Sequence, residues 1–147
     1  MLLTVKKYFI LCALLLPLFA FADRVSVERA RAVAERQLKC GATRVAQAVD
    51  LKLVCDGFAS KTRTDAEPAF YVFNNQRGRG FVVVSGDDSV MPVLGYSFTD
   101  NFPQNPEMLP ANVCYWLGEL ERQVDYLRAH DIRPSDATQK AWRATRI

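Results

Sequence analysis

Histidine is almost missing from this chain: His130 stands alone, and no Cys-x-x-Cys pair accompanies it. A structural zinc site of the common kind therefore has no ligand set to draw on. Excess charge is missing too. Lys and Arg total 19 against 16 Asp and Glu, and two of the lysines fall in a leader segment, so the remainder carries only +1. That removes the electrostatic argument for nucleic acid or an anionic membrane as a partner. No apolar run reaches the roughly 20 residues a bilayer-spanning helix needs; the longest is Tyr8–Phe19. Repeats and low-complexity tracts are absent. Half of the residues are hydrophobic and 24% are charged, so a packed core is expected and wholesale disorder is not. The 147 residues allow one domain and make two improbable.

The first 22 residues have the parts of a secretory signal. Lys6 and Lys7 precede the apolar run, and Ala20-Phe21-Ala22 follows it. Cleavage is expected between Ala22 and Asp23, giving a secreted or periplasmic protein with no membrane attachment afterwards. Cys12 lies inside the apolar run rather than at the cleavage site, which argues against a lipid anchor. Removal of the leader leaves Cys40, Cys55 and Cys114. An odd number leaves at least one thiol outside any internal bridge. An oxidising compartment permits a Cys40–Cys55 disulfide; three buried thiols are the alternative.

In the mature chain, Ser26 is placed to cap a helix over residues 26–40, with Glu28 in its first turn. Val27, Ala30, Val33, Ala34 and Leu38 supply the apolar stripe, and Arg29, Arg36 and Lys39 a solvated face. Gly41 reads as its C-terminal stop. Val49, Leu51, Leu53 and Cys55 alternate with polar residues, which predicts a half-wet strand blurred by Val54. Asp56-Gly57 is a turn signal, and residues 60–68 read as an exposed loop. Ala69–Asn74 and Phe81–Ser85 are the strongest strands, joined by a hairpin loop over residues 75–80. Phe81-Val82-Val83-Val84 does not alternate, which predicts a central strand covered on both faces. Ser85-Gly86-Asp87-Asp88 forms a second turn. Val93–Ser97 is a short strand in which Gly95 marks a bulge or a close approach. After Pro103, Pro106 and Pro110, a second long helix is marked by Val113, Trp116, Leu117, Leu120, Val124 and Leu127. Its polar face holds Glu119, Glu121, Arg122, Asp125 and Arg128, and Pro134 closes it. The class is α+β: one antiparallel sheet with N-terminal and C-terminal helices packed on it. The expected organisation is a leader at 1–22, a domain at 23–130 and a tail at 131–147.

Catalytic machinery is hard to assemble from these residues. Cys114 and His130 could form a thiolate–imidazolium dyad. They sit 16 positions apart on one predicted helix, about 24 Å at a rise of about 1.5 Å per residue. Asp87 and Asp88 could ligate calcium, although a solvated or backbone-bonding turn explains them better. Arg77 and Arg79 at the hairpin tip read as ordinary exposed charges. No cofactor or metal is expected.

Three segments in series resemble a known family: Tyr71-Val72-Phe73-Asn74, then Gly80-Phe81-Val82-Val83-Val84-Ser85-Gly86-Asp87, then Val93-Leu94-Gly95-Tyr96-Ser97. Their order and spacing are similar to the pro-domain of streptopain-type (family C10) cysteine peptidases and to the stand-alone Spi-type inhibitors that copy it. The resemblance makes Tyr71, Phe73, Gly80, Phe81, Ser85, Gly86, Asp87, Gly95 and Tyr96 carriers of the fold. It implies a protein partner, a streptopain-like cysteine peptidase, whose active-site cleft the domain blocks. An asparagine ahead of the last long helix is a cleft contact in the family. It aligns with Asn112, so Pro110, Ala111 and Asn112 are the expected inhibitory contact, while Asn112 alone would also serve as a helix cap. The Gly-Cys-Val-Ala-Thr-like catalytic context of the peptidases has no counterpart here. The expectation is a secreted inhibitor or detached pro-domain and not an enzyme. The alternatives are a folding assistant or interaction module of the same fold, or a truncated zymogen remnant.

Overall fold

The computed structural model describes residues 24–41, 49–58 and 67–146. The leader, the Ala22/Asp23 junction and most of the loop expected at 60–68 lie outside the described residues. Helix α1 spans Val27–Gly41. Strands β1 (Leu51–Cys55), β2 (Phe70–Asn75), β3 (Phe81–Ser85) and β4 (Val93–Ser97) follow, then a short 3₁₀ turn at Pro106–Met108 and helices α2 (Ala111–Ala129) and α3 (Asp136–Thr145). The strands form one antiparallel sheet in the order β1-β2-β3-β4, a meander in which each strand pairs with its neighbour in sequence.

Alternation along β2 and β3 sorts their side chains to opposite faces. Tyr71, Phe73, Val82 and Val84 pack with Val33, Ala34 and Leu38 of α1. Phe70, Val72 and Val83 pack with Leu117 and Val124 of α2. Every residue of β2 is buried, and Val83 is 1% exposed, so the non-alternating run in β3 does mark a strand covered on both faces. α1 starts as its sequence predicts: the Ser26 hydroxyl accepts from Arg29 N at 3.2 Å.

Several expectations need correction. β1 carries a bulge at Val54, because Leu53 pairs with Phe73 while Cys55 pairs with Val72. The extra residue turns Cys55 away from the Leu51 and Leu53 face and onto the α2 side. Cys40 is exposed and carries no disulfide, and Cys55 and Cys114 are half-buried, so neither the Cys40–Cys55 bridge nor three buried thiols is found. Gly41 is the last helical residue and lacks the left-handed backbone of a stop. A β-carbon there would overlap the Phe98 ring, so the need is for space. α2 ends at Ala129, with His130 as its cap, well before Pro134.

The largest correction concerns residues 131–147, expected as a tail. Ser135 caps α3 by accepting from Thr138 N. Trp142, 3% exposed, packs in the α1-side core. Its indole N–H donates to Val90 O at 2.7 Å, and the Arg29 guanidinium lies 4.4 Å over its ring. Arg29 is therefore half-buried between Trp142 and Asp88, not on a solvated face.

Candidate functional site: the corner ahead of the second helix

The expected contact residues sit at the end of a long approach that the core holds in place. Asn74, buried at the end of the β2 motif, grips that approach with its side-chain amide. Its Nδ2 donates to Phe102 O at 2.8 Å, and its Oδ1 accepts from Phe102 N at 2.9 Å. The Phe102 ring meets Phe81 edge to face, with centroids 5.5 Å apart. Farther on, Leu109 is half-buried against the α2-side core. The chain then emerges at Pro110, Ala111 and Asn112, all three exposed, and turns into α2.

The cap of α2 is Pro110, with φ −58° and ψ 144°, and no side chain caps the helix. Asn112 is the second helical residue, so the reading of Asn112 as a cap is corrected. Val113 N and Cys114 N both donate to Pro110 O, at 2.9 and 3.1 Å. Ahead of them, the N–H groups of Ala111 and Asn112 have no partner within the helix. The corner thus presents backbone donors together with the exposed Asn112 amide, which both donates and accepts.

α2 is fixed at its middle and near its far end by two residues whose burial sequence reasoning missed. Glu121 accepts from Phe58 N and lies beneath Gly57, whose φ of +87° suits a residue without a side chain. Arg128 reaches into the turn after β3. Its Nε donates to Asp87 Oδ2 at 2.8 Å, and its other nitrogens donate to the carbonyls of Glu67, Pro68 and Gly86 at 2.9–3.1 Å. Spacing placed both on the polar face of the helix. An adjacent acid in a Gly-Asp turn was the one signal that could have pointed to a buried cation partner.

The family motif residues divide by role. Asp87 is 2% exposed; its Oδ1 accepts from Ser89 N and Oγ while Oδ2 takes Arg128. Both carboxylate oxygens are committed to the protein, so for Asp87 the backbone-bonding reading holds, with Arg128 added, and the solvated one does not. Ser85 Oγ donates to Asp87 O at 2.7 Å. A β-carbon on Gly86 would overlap Pro68 O, so only glycine lets the turn pass. Tyr71 donates its hydroxyl to Val25 O at 3.0 Å, and burial pushes its pKa above the usual phenol value. Gly80 has φ of +121°. Gly95 meets the Trp116 indole, which a β-carbon would approach to 3.3 Å. Phe73 is core and Phe81 half-buried. Tyr96 differs: it is half exposed and tilted against Phe98. Cys114 and His130 stand at opposite ends of α2, so the helix itself keeps that pair apart. Among the described residues no group of three or more His, Cys, Asp or Glu could hold a metal ion, and no helix is long and apolar enough to cross a membrane.

A family model described as Spi protease inhibitor matches residues 22–124. The chain belongs to that family. The match runs from the expected leader junction through the sheet, the corner and most of α2. α3 and its Trp142 lie beyond the matched region. The thiol protease/hemagglutinin PrtT of Porphyromonas gingivalis is 31% identical over 84 residues. That stretch covers 57% of this chain and 9% of PrtT, so the chain spans a small part of that relative's length. No solved structure matches. The resemblance to Spi-type inhibitors is borne out, and a thiol-protease relative agrees with the pro-domain side of it.

Proposed function

We propose that this chain is a secreted inhibitor of a streptopain-like cysteine peptidase, and that Pro110, Ala111 and Asn112 enter the peptidase's active-site cleft. The observation that carries the reading is the corner itself. It is exposed at its tip and held behind by the Asn74–Phe102 hydrogen bonds and by α2. A protruding segment ordered before docking loses little entropy on binding, which is what a cleft-blocking plug requires. A plug of this kind acts by occupancy, in keeping with a family of protease inhibitors. Export follows the leader at 1–22, and exported protein should begin at Asp23 by intact mass.

The test is an inhibition constant for the mature chain against a purified streptopain-like peptidase, wild type beside Asn112→Ala. Asn112 caps nothing, so alanine in the first turn should leave stability within about 0.5 kcal/mol. A hydrogen-bonding cleft contact is worth about 1–3 kcal/mol when its partner is left unsatisfied, or about tenfold and upward in affinity. A potent wild type whose constant moves less than about twofold on Asn112→Ala would remove Asn112 from the site. A second reading, a pro-region acting within a longer polypeptide, is favoured by the PrtT match; it predicts weak inhibition when the domain is added in trans.

A further inference from the structure

Resting on the reading above, we propose that Tyr115 is a second anchor on the peptidase, held out from α2 to lie on the rim of the cleft that the corner enters. Tyr115 is 71% exposed, although it neighbours the fully buried Leu117. Helical spacing puts Ala111, Asn112 and Tyr115 on one continuous outward face. No charge interrupts that face between Glu107 and Glu119. A surface that is aromatic and amide-bearing but uncharged has the composition of a protein interface centre, where charged residues are depleted and Tyr is enriched.

One turn beyond Tyr115 the face meets an ion pair: Arg122 grips the Glu119 carboxylate and holds its carboxyl below the usual glutamate range. Polar residues bordering an uncharged aromatic patch are the rim of an interface whose centre is the patch. Tyr126 provides the contrast. It is exposed on the same helix but stacks on His130, with centroids 4.1 Å apart. Among the described residues Tyr115 has no such ring partner. The half-exposed Trp116 beside it is braced over Gly95, giving this end of α2 a rigid backing. The occupant is the peptidase, because the face is continuous with the inhibitory corner and the family is one of protease inhibitors.

The experiment compares wild type, Tyr115→Ala, Tyr115→Phe and Tyr126→Ala as inhibitors of one purified streptopain-like peptidase. Melting curves and sedimentation accompany each variant. Tyr115→Ala should raise the inhibition constant about tenfold or more with an unchanged melting midpoint. Tyr115→Phe should retain most of the affinity, and Tyr126→Ala should stay within about twofold. A potent wild type with Tyr115→Ala within about twofold overturns the anchor and leaves the proposed function standing. Equal losses at Tyr115 and Tyr126 overturn it as well. So does a wild-type dimer that Tyr115→Ala dissociates, since the face would then belong to a second copy. A wild type that does not inhibit removes the proposed function and the anchor together.

Discussion

Arg128→Leu gives the sharpest test of how α2 is held. The substitution keeps a helix-compatible side chain, shorter than arginine, and removes the guanidinium. It strands Asp87, 2% exposed, with Ser89 as its remaining donor, and it takes a donor from the carbonyls of Glu67, Pro68 and Gly86. Removing one partner of a buried ion pair costs about 3–5 kcal/mol. The Arg128 side chain is 20% exposed, and Ser89 still supplies two hydrogen bonds to the carboxylate. Both features move the expected cost to the low end, about 3 kcal/mol. For a domain of this size that corresponds to a fall in melting midpoint of about 10–15 °C. Arg128→Lys keeps the charge but loses the planar fork, so it should fall between the two. The assay is equilibrium unfolding in urea, followed by far-UV circular dichroism. Adding Asp87→Asn to Arg128→Leu should recover part of the loss, because the double variant no longer buries an unpaired charge. A single-variant loss below about 0.5 kcal/mol, or strict additivity in the double variant, would refute the tether.

Trp142→Ala should cost about 3–5 kcal/mol by opening a large cavity, with loss of the hydrogen bond to Val90 adding to it; an unchanged urea midpoint would show that α3 is not part of the core. Val83→Asp places an unpaired charge between the sheet and α2, at a cost of several kcal/mol, comparable with the roughly 5–15 kcal/mol of a whole small domain. It should abolish cooperative unfolding, and a wild-type melting curve would contradict the central position of β3. Gly86→Ala should destabilise strongly, because its methyl group meets the Pro68 carbonyl backbone; a melting midpoint equal to wild type would rule out that steric limit. Glu119 should titrate below an ordinary glutamate in carboxyl-resolved NMR, because Arg122 and Tyr115 favour its ionised form. A depressed folded pKa stabilises above the ordinary value and is lost as pH falls through the folded one, so Arg122→Ala should shift the titration upward.

Local pattern alone was enough for the elements whose signal is short-ranged. β2, β3 and the hairpin between them follow from β-branched and aromatic runs bounded by glycine. The absence of alternation in Phe81–Val84 already demanded cover on both faces, and the strand is covered on both. The α1 cap needed nothing beyond Ser26 and the backbone that follows it. The order of elements as far as α2, and with it the α+β class, was legible for the same reason. The motif in β2, β3 and β4 was enough to point to the Spi family.

Tertiary structure decided the features in which distant segments meet. Periodicity assigns a residue to a face, but it holds no information about what arrives there. Arg128 sits on the flank of an amphipathic helix, and only the fold brings it to Asp87, 41 positions away. Glu121 is buried because residues 57 and 58 close over it. Trp142 lies in the stretch expected as a tail, and only the fold brings it against Val90 and Arg29. The bulge at Val54 likewise emerges from pairing, since a strand's register is set by its neighbour, and one added residue sends Cys55 to the opposite side of the sheet.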